Sequence, residues 1–136
     1  MSKLTFKSSL TLFAALAALG AGVAQAAPAD DACAALMEAR GHLVTMIGSS
    51  DKSAYDGLKA RIREASAKVD ATLASMGGGD AAKATAFKPV WEDFKKTREG
   101  EIIPLVYAGK NAEAKAIATG IQAERMGKMK TAMGCK

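Results

Sequence analysis

The sequence is poor in histidine, aromatic residues and proline. Of its 136 residues, one is histidine (His42), 5% are aromatic and three are proline. A single histidine offers little for a metal centre, and the absence of any Glu-x-x-His motif argues against a di-iron carboxylate site. No serine, threonine or cysteine lies beside an evident base, and no pair of carboxylates is placed for acid–base chemistry. We therefore predict that the protein is not an enzyme and holds no metal.

Motifs for nucleotides and covalent haem are also absent. Gly77–Gly79 is a glycine run without the lysine and the serine or threonine that follow it in phosphate-binding loops. No Cys-x-x-Cys-His motif is present, which excludes covalent c-type haem. Basic residues are interspersed with acidic ones instead of forming a cluster, which argues against nucleic-acid binding. The sequence therefore predicts no cofactor and no nucleic-acid partner.

The N-terminal segment has the three parts of a secretion signal. Lys3 and Lys7 form a positive region, residues 10–23 are apolar, and Ala24-Gln25-Ala26 is a small-x-small cleavage site. The apolar run is short of the roughly 20 residues that cross a bilayer, and no longer run follows. We predict a cleavable signal over 1–26 and a periplasmic domain over 27–136, whose formal net charge falls from +5 to +3 with the loss of Lys3 and Lys7. A retained N-terminal anchor is the alternative.

The rest of the chain is rich in helix formers, with glycine, serine and aspartate clusters that divide it into segments. Four helices are predicted, at about Asp31–Ile47, Asp51–Met76, Asp80–Ala108 and Asn111–Met133. Short connections favour antiparallel neighbours. The predicted fold is therefore all-α, an antiparallel up-down-up-down four-helix bundle.

The expected helix ends follow from capping residues and prolines. Asp30 or Asp31 is predicted to cap the first helix, and Asn111 the fourth, because such side chains accept from free backbone N–H groups. Pro89 either kinks the third helix or starts a new one, and Pro104 lies further along the same segment.

Apolar residues recur in steps of three and four along each segment, as they do on the inward face of a bundle helix. The residues predicted to face inward are Cys33, Leu36, Leu43, Val44 and Ile47 in the first helix; Tyr55, Leu58, Ile62, Ala65, Val69, Leu73 (or Thr72) and Met76 in the second; Phe87, Trp91 (or Val90), Phe94, Ile102 and Leu105 in the third; and Ala114, Ile117, Ala118, Ile121, Met129 and Met133 in the fourth.

The sequence has two cysteines, Cys33 and Cys135, near the two ends of the predicted domain. An up-down-up-down bundle places the start of its first helix and the end of its fourth at the same end. In an oxidising compartment such a pair usually forms a disulfide. We predict a Cys33–Cys135 disulfide, with free thiols or a metal pair as alternatives.

Three arginines lie at positions that the inward stripes pass through: Arg40, Arg98 and Arg125. A guanidinium that faces partly inward can bind a carboxylate or phosphate through parallel hydrogen bonds. This pattern suggests an anionic ligand. The alternative is that each arginine pairs with a nearby glutamate or extends its charged group to water.

The second half of the domain resembles the periplasmic four-helix sensor domain of methyl-accepting chemotaxis receptors. The likeness lies in the run Trp91-Glu92-Asp93-Phe94, Arg98-Glu99-Gly100-Glu101-Ile102-Ile103-Pro104-Leu105, Ala108-Gly109-Lys110 and Glu113-Ala114. It implies an antiparallel bundle, often a homodimer, that binds small solutes or a periplasmic protein partner. Trp91 and the three arginines are the candidate ligand contacts. A receptor continues into a membrane span and a signalling rod, whereas this sequence ends at Lys136. We therefore expect a free-standing binding or accessory protein.

A weaker resemblance links the last segment to soluble periplasmic four-helix b-type cytochromes, through Gly109-Lys110, Glu113-Ala114, Ala116 and Ala118. Aligned in this way, Met129 takes the place of the haem-ligating histidine of that family, and Met37 lies near its other axial ligand. The resemblance implies an alternative function, electron transfer by haem b bound through two of Met37, His42 and Met129.

Overall fold

The computed structural model describes residues 27–136, so the predicted signal lies outside the described residues. This part of the chain is helical and contains no strand. Its helices are α1 (Pro28–Gly48), α2 (Tyr55–Ser75), α3 (Ala81–Thr97), α4 (Ile103–Tyr107), α5 (Asn111–Thr119) and α6 (Ile121–Met133). A π-helical turn, Arg98–Ile102, joins α3 to α4, so these three pieces form the third helix of the bundle, and α5 and α6 form the fourth.

Two apolar clusters establish how the helices run. The disulfide-end cluster combines the start of α1, the end of α2, the middle and end of α3 (the first half of the third bundle helix) and the end of α6: Ala29, Ala32, Ala35, Leu36, Val69, Met76, Phe87, Trp91, Phe94, Met126, Met129 and Met133. The far-end cluster combines the opposite halves of the same four bundle helices: Leu43, Met46, Ile47, Tyr55, Ile62, Ile102, Ile103, Val106 and Ala114. Each helix therefore runs opposite to the next along the chain, and the predicted up-down-up-down bundle is confirmed.

The two cysteines lie at one end of this bundle and are joined. Cys33 and Cys135 form a disulfide with Cα atoms 5.7 Å apart and a sequence separation of 102 residues. The bond ties the first turns of α1 to the residues just after α6. The predicted pairing is confirmed.

The predicted helix starts need correction. α1 begins at Pro28, which suits a first helical position because its missing N–H would have no partner there. Asp30 and Asp31 do not cap α1; they lie in its first turn, where negative charge complements the helix dipole. Pro89 lies inside α3, which is continuous from Ala81 to Thr97, so it does not start a new helix.

The inward stripes are confirmed for most positions and wrong at Val44 and Ile121, which are exposed at 54% and 45%. Leu105 is half-buried and packs against the far-end cluster, while its neighbour Val106 is fully buried. The π turn explains why Val106 takes the centre of the inner face, because the wider turn inserts about one additional residue between Phe94 and α4. A regular α-helix would have placed residue 105 there.

Asn111 has a different role from the one predicted. It is the first residue of α5, and its Nδ2 donates to the carbonyls of Ile47, at 2.8 Å, and Ser49, at 3.1 Å. The Tyr55 hydroxyl also donates to the Ser49 carbonyl, at 2.6 Å. These side chains, from α5 and α2, satisfy carbonyl groups that the end of α1 leaves free.

Replacing Asn111 with alanine should therefore lower the free energy of unfolding by about 1–2 kcal/mol, because the Ile47 carbonyl loses its side-chain donor in a half-buried setting. Asn111→Asp should destabilise as well, since a carboxylate has the same shape but cannot donate. Urea unfolding followed by circular dichroism measures both. Thr119→Ala, at the exposed other end of α5, is the control and should change little; wild-type stability in both Asn111 variants would contradict this role.

Candidate functional site

A layer of polar side chains separates the two apolar clusters. Among residues 27–136, the buried polar side chains are Ser66 on α2, Arg98 at the start of the π turn, and Gln122 on α6. Phe94 belongs to the disulfide-end cluster and Ile102 to the far-end cluster, so Arg98 lies between them along the third helix. We call Ser66, Arg98 and Gln122 the polar layer.

Two members of the polar layer have their hydrogen bonds within the protein. The Ser66 hydroxyl donates to the Ile62 carbonyl at 2.7 Å, within its own helix. Gln122 Nε2 donates to the Phe94 carbonyl at 2.9 Å, and Gln122 Oε1 accepts from Arg125 Nη1 at 3.0 Å. Gln122 therefore joins α6 to α3 just before the π turn.

Arg98 is the member whose hydrogen bonds are incomplete. Its side chain is 2% exposed, and Nη2 donates to Glu99 Oε1 at 3.1 Å, while Nε and Nη1 have no acceptor among residues 27–136. Burial lowers the pKa of Arg98, and the charge of Glu99 opposes that change, so the group stays cationic near neutral pH. A buried cation with two unpaired nitrogens is costly, and an added acceptor would recover part of that cost.

The other cations near Arg98 are already paired with carboxylates: Lys95 with Asp70 and Glu92, and Arg63 with Glu99. The guanidinium carbon of Arg98 lies 5.8 Å from the centre of the Trp91 ring, and Lys95 Nζ lies 5.3 Å from the same ring. Trp91 Nε1 donates to Asp70 at 2.7 Å, and Lys95 donates to the same carboxylate oxygen at 3.0 Å. Glu99 is shared as well, because Arg63 Nη2 lies 3.4 Å from its other oxygen. Each of these two carboxylates therefore serves two donors.

Two open depressions flank this region. The first is a groove of about 430 Å³ between α2 and α3, whose lining includes Asp70, Leu73, Lys88 and Lys95. The second has a similar volume, lies between the third helix and α6, and is lined in part by Thr97, Gly100 and Arg125. Asp70 and Lys95 both lie on the first groove and contact Trp91, so this groove leads to the side chain that stacks near Arg98.

The structure brings together some of the predicted ligand contacts and separates others. Trp91 and Arg98 are neighbours. Arg125 is half-buried, and its Nη1 donates to Thr97 Oγ1 at 2.7 Å and to Gln122, so it fastens α6 to the end of α3. The interpretation of Arg40 as an inward arginine is wrong: Ala39 takes the inner face of α1, and Arg40, one residue later, is exposed.

The residues predicted as haem ligands are not gathered at one place. Met37 is 39% exposed on α1, whereas Met129 is fully buried in the disulfide-end cluster. His42 is half-buried, and its Nε2 lies 3.9 Å from Glu38 Oε1. Across residues 27–136, no group of three histidine, cysteine, aspartate or glutamate side chains is placed to bind a metal ion. Haem binding stays a prediction from sequence.

Sequence reasoning missed Gln122 and Ser66. Gln122, Met126, Met129 and Met133 form a single stripe in steps of four and three, and all four are buried. The predicted inward stripe of the fourth helix runs instead from Ala114 across Gly120. At Gly120 this helix is interrupted and the phase of its inner face changes. Reading the stripe back from Met133 would have placed Gln122 in the interior.

Comparison with known proteins gives one match. The model of a protein family described as a four-helix-bundle sensory module for signal transduction matches residues 28–134. No curated protein and no solved structure matches the chain significantly. None of the helices between residues 27 and 136 has the length and apolar character needed to cross a membrane.

Proposed function

Because this chain belongs to the family of four-helix-bundle sensory modules for signal transduction, we propose that it is a periplasmic sensor-like module that binds a small anion at Arg98. The observation that carries the proposal is the buried guanidinium whose Nε and Nη1 find no acceptor in the part of the chain that the structure describes. A ligand that supplied anionic oxygens there would exchange an unfavourable buried group for charge-assisted hydrogen bonds.

The ligand class follows from the chemistry around Arg98. A guanidinium binds the oxygens of carboxylate, phosphate or sulfate groups. Lys95, beside the Trp91 ring, is already paired with Asp70 and Glu92, so Arg98 is the cation here with donors left for a ligand. The ligand must be compact, since Arg98 lies inside the bundle and is not among the residues that line the two flanking depressions. We therefore propose a small oxyanion, with small carboxylates as the first compounds to test.

A protein partner is the second candidate, and exposed apolar side chains favour it. Met37 and Val44 lie seven residues apart, hence on one face of α1, and both are exposed. Ile121, at the start of α6, is exposed too. Such side chains are also suited to contact between two copies of the chain. Binding of a protein partner requires no ligand at Arg98, so the anion experiment below separates the two candidate functions.

Trp91 provides a direct reporter of anion binding. It is the single tryptophan of the sequence, and its ring lies beside Arg98. We expect sodium acetate, succinate, phosphate or sulfate, titrated at constant ionic strength against sodium chloride, to produce a saturable change in Trp91 fluorescence. At about 100 times its dissociation constant, the active anion should also add about 2.7 kcal/mol to the free energy of unfolding.

The chain offers a matched pair of arginine variants for this titration. Arg98→Met should abolish the fluorescence change, whereas Arg40→Met, which removes the same charge from an exposed position of α1, should retain it. An equal response in Arg98→Met and wild type would refute binding at Arg98. The absence of both a fluorescence and a stability response to every anion in the panel would leave the protein-partner candidate.

A further inference from the structure

The third and fourth helices of the bundle are both interrupted beside the polar layer. The third changes from α-helix to the π turn at Arg98–Ile102, and the fourth is divided between α5 and α6 at Gly120. Gln122, two residues after Gly120, is bonded to the carbonyl of Phe94, four residues before the π turn. The two interruptions therefore lie within about one helical turn of each other along the bundle.

The interruption in the third helix has a definite hydrogen-bond pattern. The Ile103 N–H donates to the Arg98 carbonyl, five residues earlier, instead of to the carbonyl four residues earlier. Pro104 then contributes no N–H, so the regular α-helical bond to the Gly100 carbonyl cannot form. The turn that begins at Arg98 is thus the part of this helix with the least regular backbone bonding.

The interruption in the fourth helix depends on a glycine. The Gly120 N–H donates to the Ala116 carbonyl at 3.0 Å and also, at 3.3 Å, to that of Ile117. A Cβ atom at residue 120 would lie only 2.9 Å from the Ala116 carbonyl oxygen, so this junction requires glycine in its present form.

The two halves of the bundle share little apolar packing at this level. The disulfide-end and far-end clusters are separate, and the polar layer lies between them. Where the uninterrupted helices α1 and α2 pass the layer, their buried residues are small: Ala39, Ala65 and Ser66. A change of angle between the halves would therefore disturb few large apolar contacts.

From these features we infer that the polar layer is a hinge, and that an anion bound at Arg98 resets the angle between the disulfide-end half and the far-end half. The trigger rests on the proposed function, whereas the hinge itself rests on the two interruptions and the divided core. Arg98 is the first residue of the π turn, so a ligand that binds and displaces its guanidinium acts directly on the irregular turn. This gives the module a way to convert occupancy of the site into a change of shape.

Double electron–electron resonance, which measures the distance between two nitroxide spin labels, tests the hinge. Labels attached through a ketone-bearing amino acid, which spares the disulfide, are placed at the exposed residues Thr85 on α3 and Lys115 on α5, one in each half. A control pair, Thr85 and Lys128, lies within the disulfide-end half. Deleting Gly100 removes the additional residue of the π turn and should restore a regular helix with the same inward face on both sides.

Without any anion, the Thr85–Lys115 distances of the wild type should be more broadly distributed than those of the Gly100 deletion. The distance distribution of the control pair should be the same in both proteins. Sodium acetate or sodium phosphate should shift the wild-type mean by roughly 2–5 Å, on the scale of one helical residue to one turn, and should not shift the deletion. Equal widths in wild type and deletion would overturn the hinge, whatever the anions do.

Failure of the proposed function gives a different result. If neither anion changes Trp91 fluorescence while the wild-type distribution is still the broader one, the hinge stands and the anion trigger is wrong. Should the deletion variant not fold, hydrogen exchange of the wild type decides the question. Amides of 101–103 and 118–121 should exchange at least ten times faster than those of the flanking turns, and equal protection would overturn the hinge.

Discussion

Replacing Arg98 with methionine should raise the free energy of unfolding by about 1–4 kcal/mol while removing anion binding. The arginine is buried with two nitrogens unpaired, and its ion-pair partner Glu99 is half-exposed and keeps a second cation, Arg63. The substitution therefore leaves no uncompensated buried charge behind. Methionine replaces the unbranched stem of the arginine as far as Nε and packs flexibly, so it fills most of the space without a polar group. Chemical denaturation in buffer free of oxyanions measures the gain.

Two further variants of Arg98 separate charge from volume. Arg98→Lys keeps a buried cation and should not be stabilised, because an ammonium is desolvated at similar cost. Arg98→Ala removes the charge but leaves a cavity, so its stability should fall below that of Arg98→Met. If Arg98→Met were less stable than wild type by more than about 1 kcal/mol, the guanidinium would be a net structural contact and not a site left open for a ligand.

Removing the disulfide should have the largest destabilising effect of any change considered for this chain. The double variant Cys33→Ala/Cys135→Ala frees a loop of 102 residues in the unfolded state. The chain-entropy model gives about 4–5 kcal/mol for a loop of that size, which is a large part of the stability of an ordinary domain. We expect the urea midpoint to fall accordingly, and reduction of the wild type by dithiothreitol to reproduce most of the loss.

The disulfide also provides a check on the independence of the two halves. Cys33 and Cys135 pack against the disulfide-end cluster, away from the polar layer. The effects of the double cysteine variant and of Arg98→Met should therefore add to within about 0.5 kcal/mol. Wild-type stability in the double cysteine variant would contradict the role of the disulfide, and strong non-additivity would show that the layer and the disulfide end are coupled.

Much of the fold could be predicted because it follows from local pattern. The stripe from Tyr55 to Met76 keeps a constant phase through one uninterrupted helix, and its predicted residues are buried or half-buried. The disulfide could be predicted because bundle topology and cysteine position point to the same pairing. The error at Ile121, and the shift of the fully buried position from Leu105 to Val106, arise where a helix changes phase, at Gly120 and at the π turn, since a stripe extended across an interruption keeps the wrong phase.

The candidate site could be predicted only in part. Trp91 and Arg98 lie on the third helix in steps of three and four, so both are on its inner face. The burial of Gln122 follows from the stripe of α6, but the hydrogen bonds of Asn111 and Gln122 could not be assigned from local pattern, because they depend on which carbonyls of another helix come within reach. Arg40 shows the converse: its spacing from Leu36 and Leu43 fits the edge of a stripe, and packing places Ala39 inward instead.

The Nε–H group of Arg98 can itself report whether the arginine holds donors available to an anion. In ¹⁵N-edited proton NMR spectra, a buried arginine Nε–H gives a separate, slowly exchanging signal, which Arg98→Met identifies by its absence. We predict that the oxyanion selected in the Trp91 titration shifts this signal progressively and saturably, with the same dissociation constant as the fluorescence change. An Arg98 Nε–H signal unmoved by every anion of the panel, in protein that is folded and disulfide-bonded, would contradict the account.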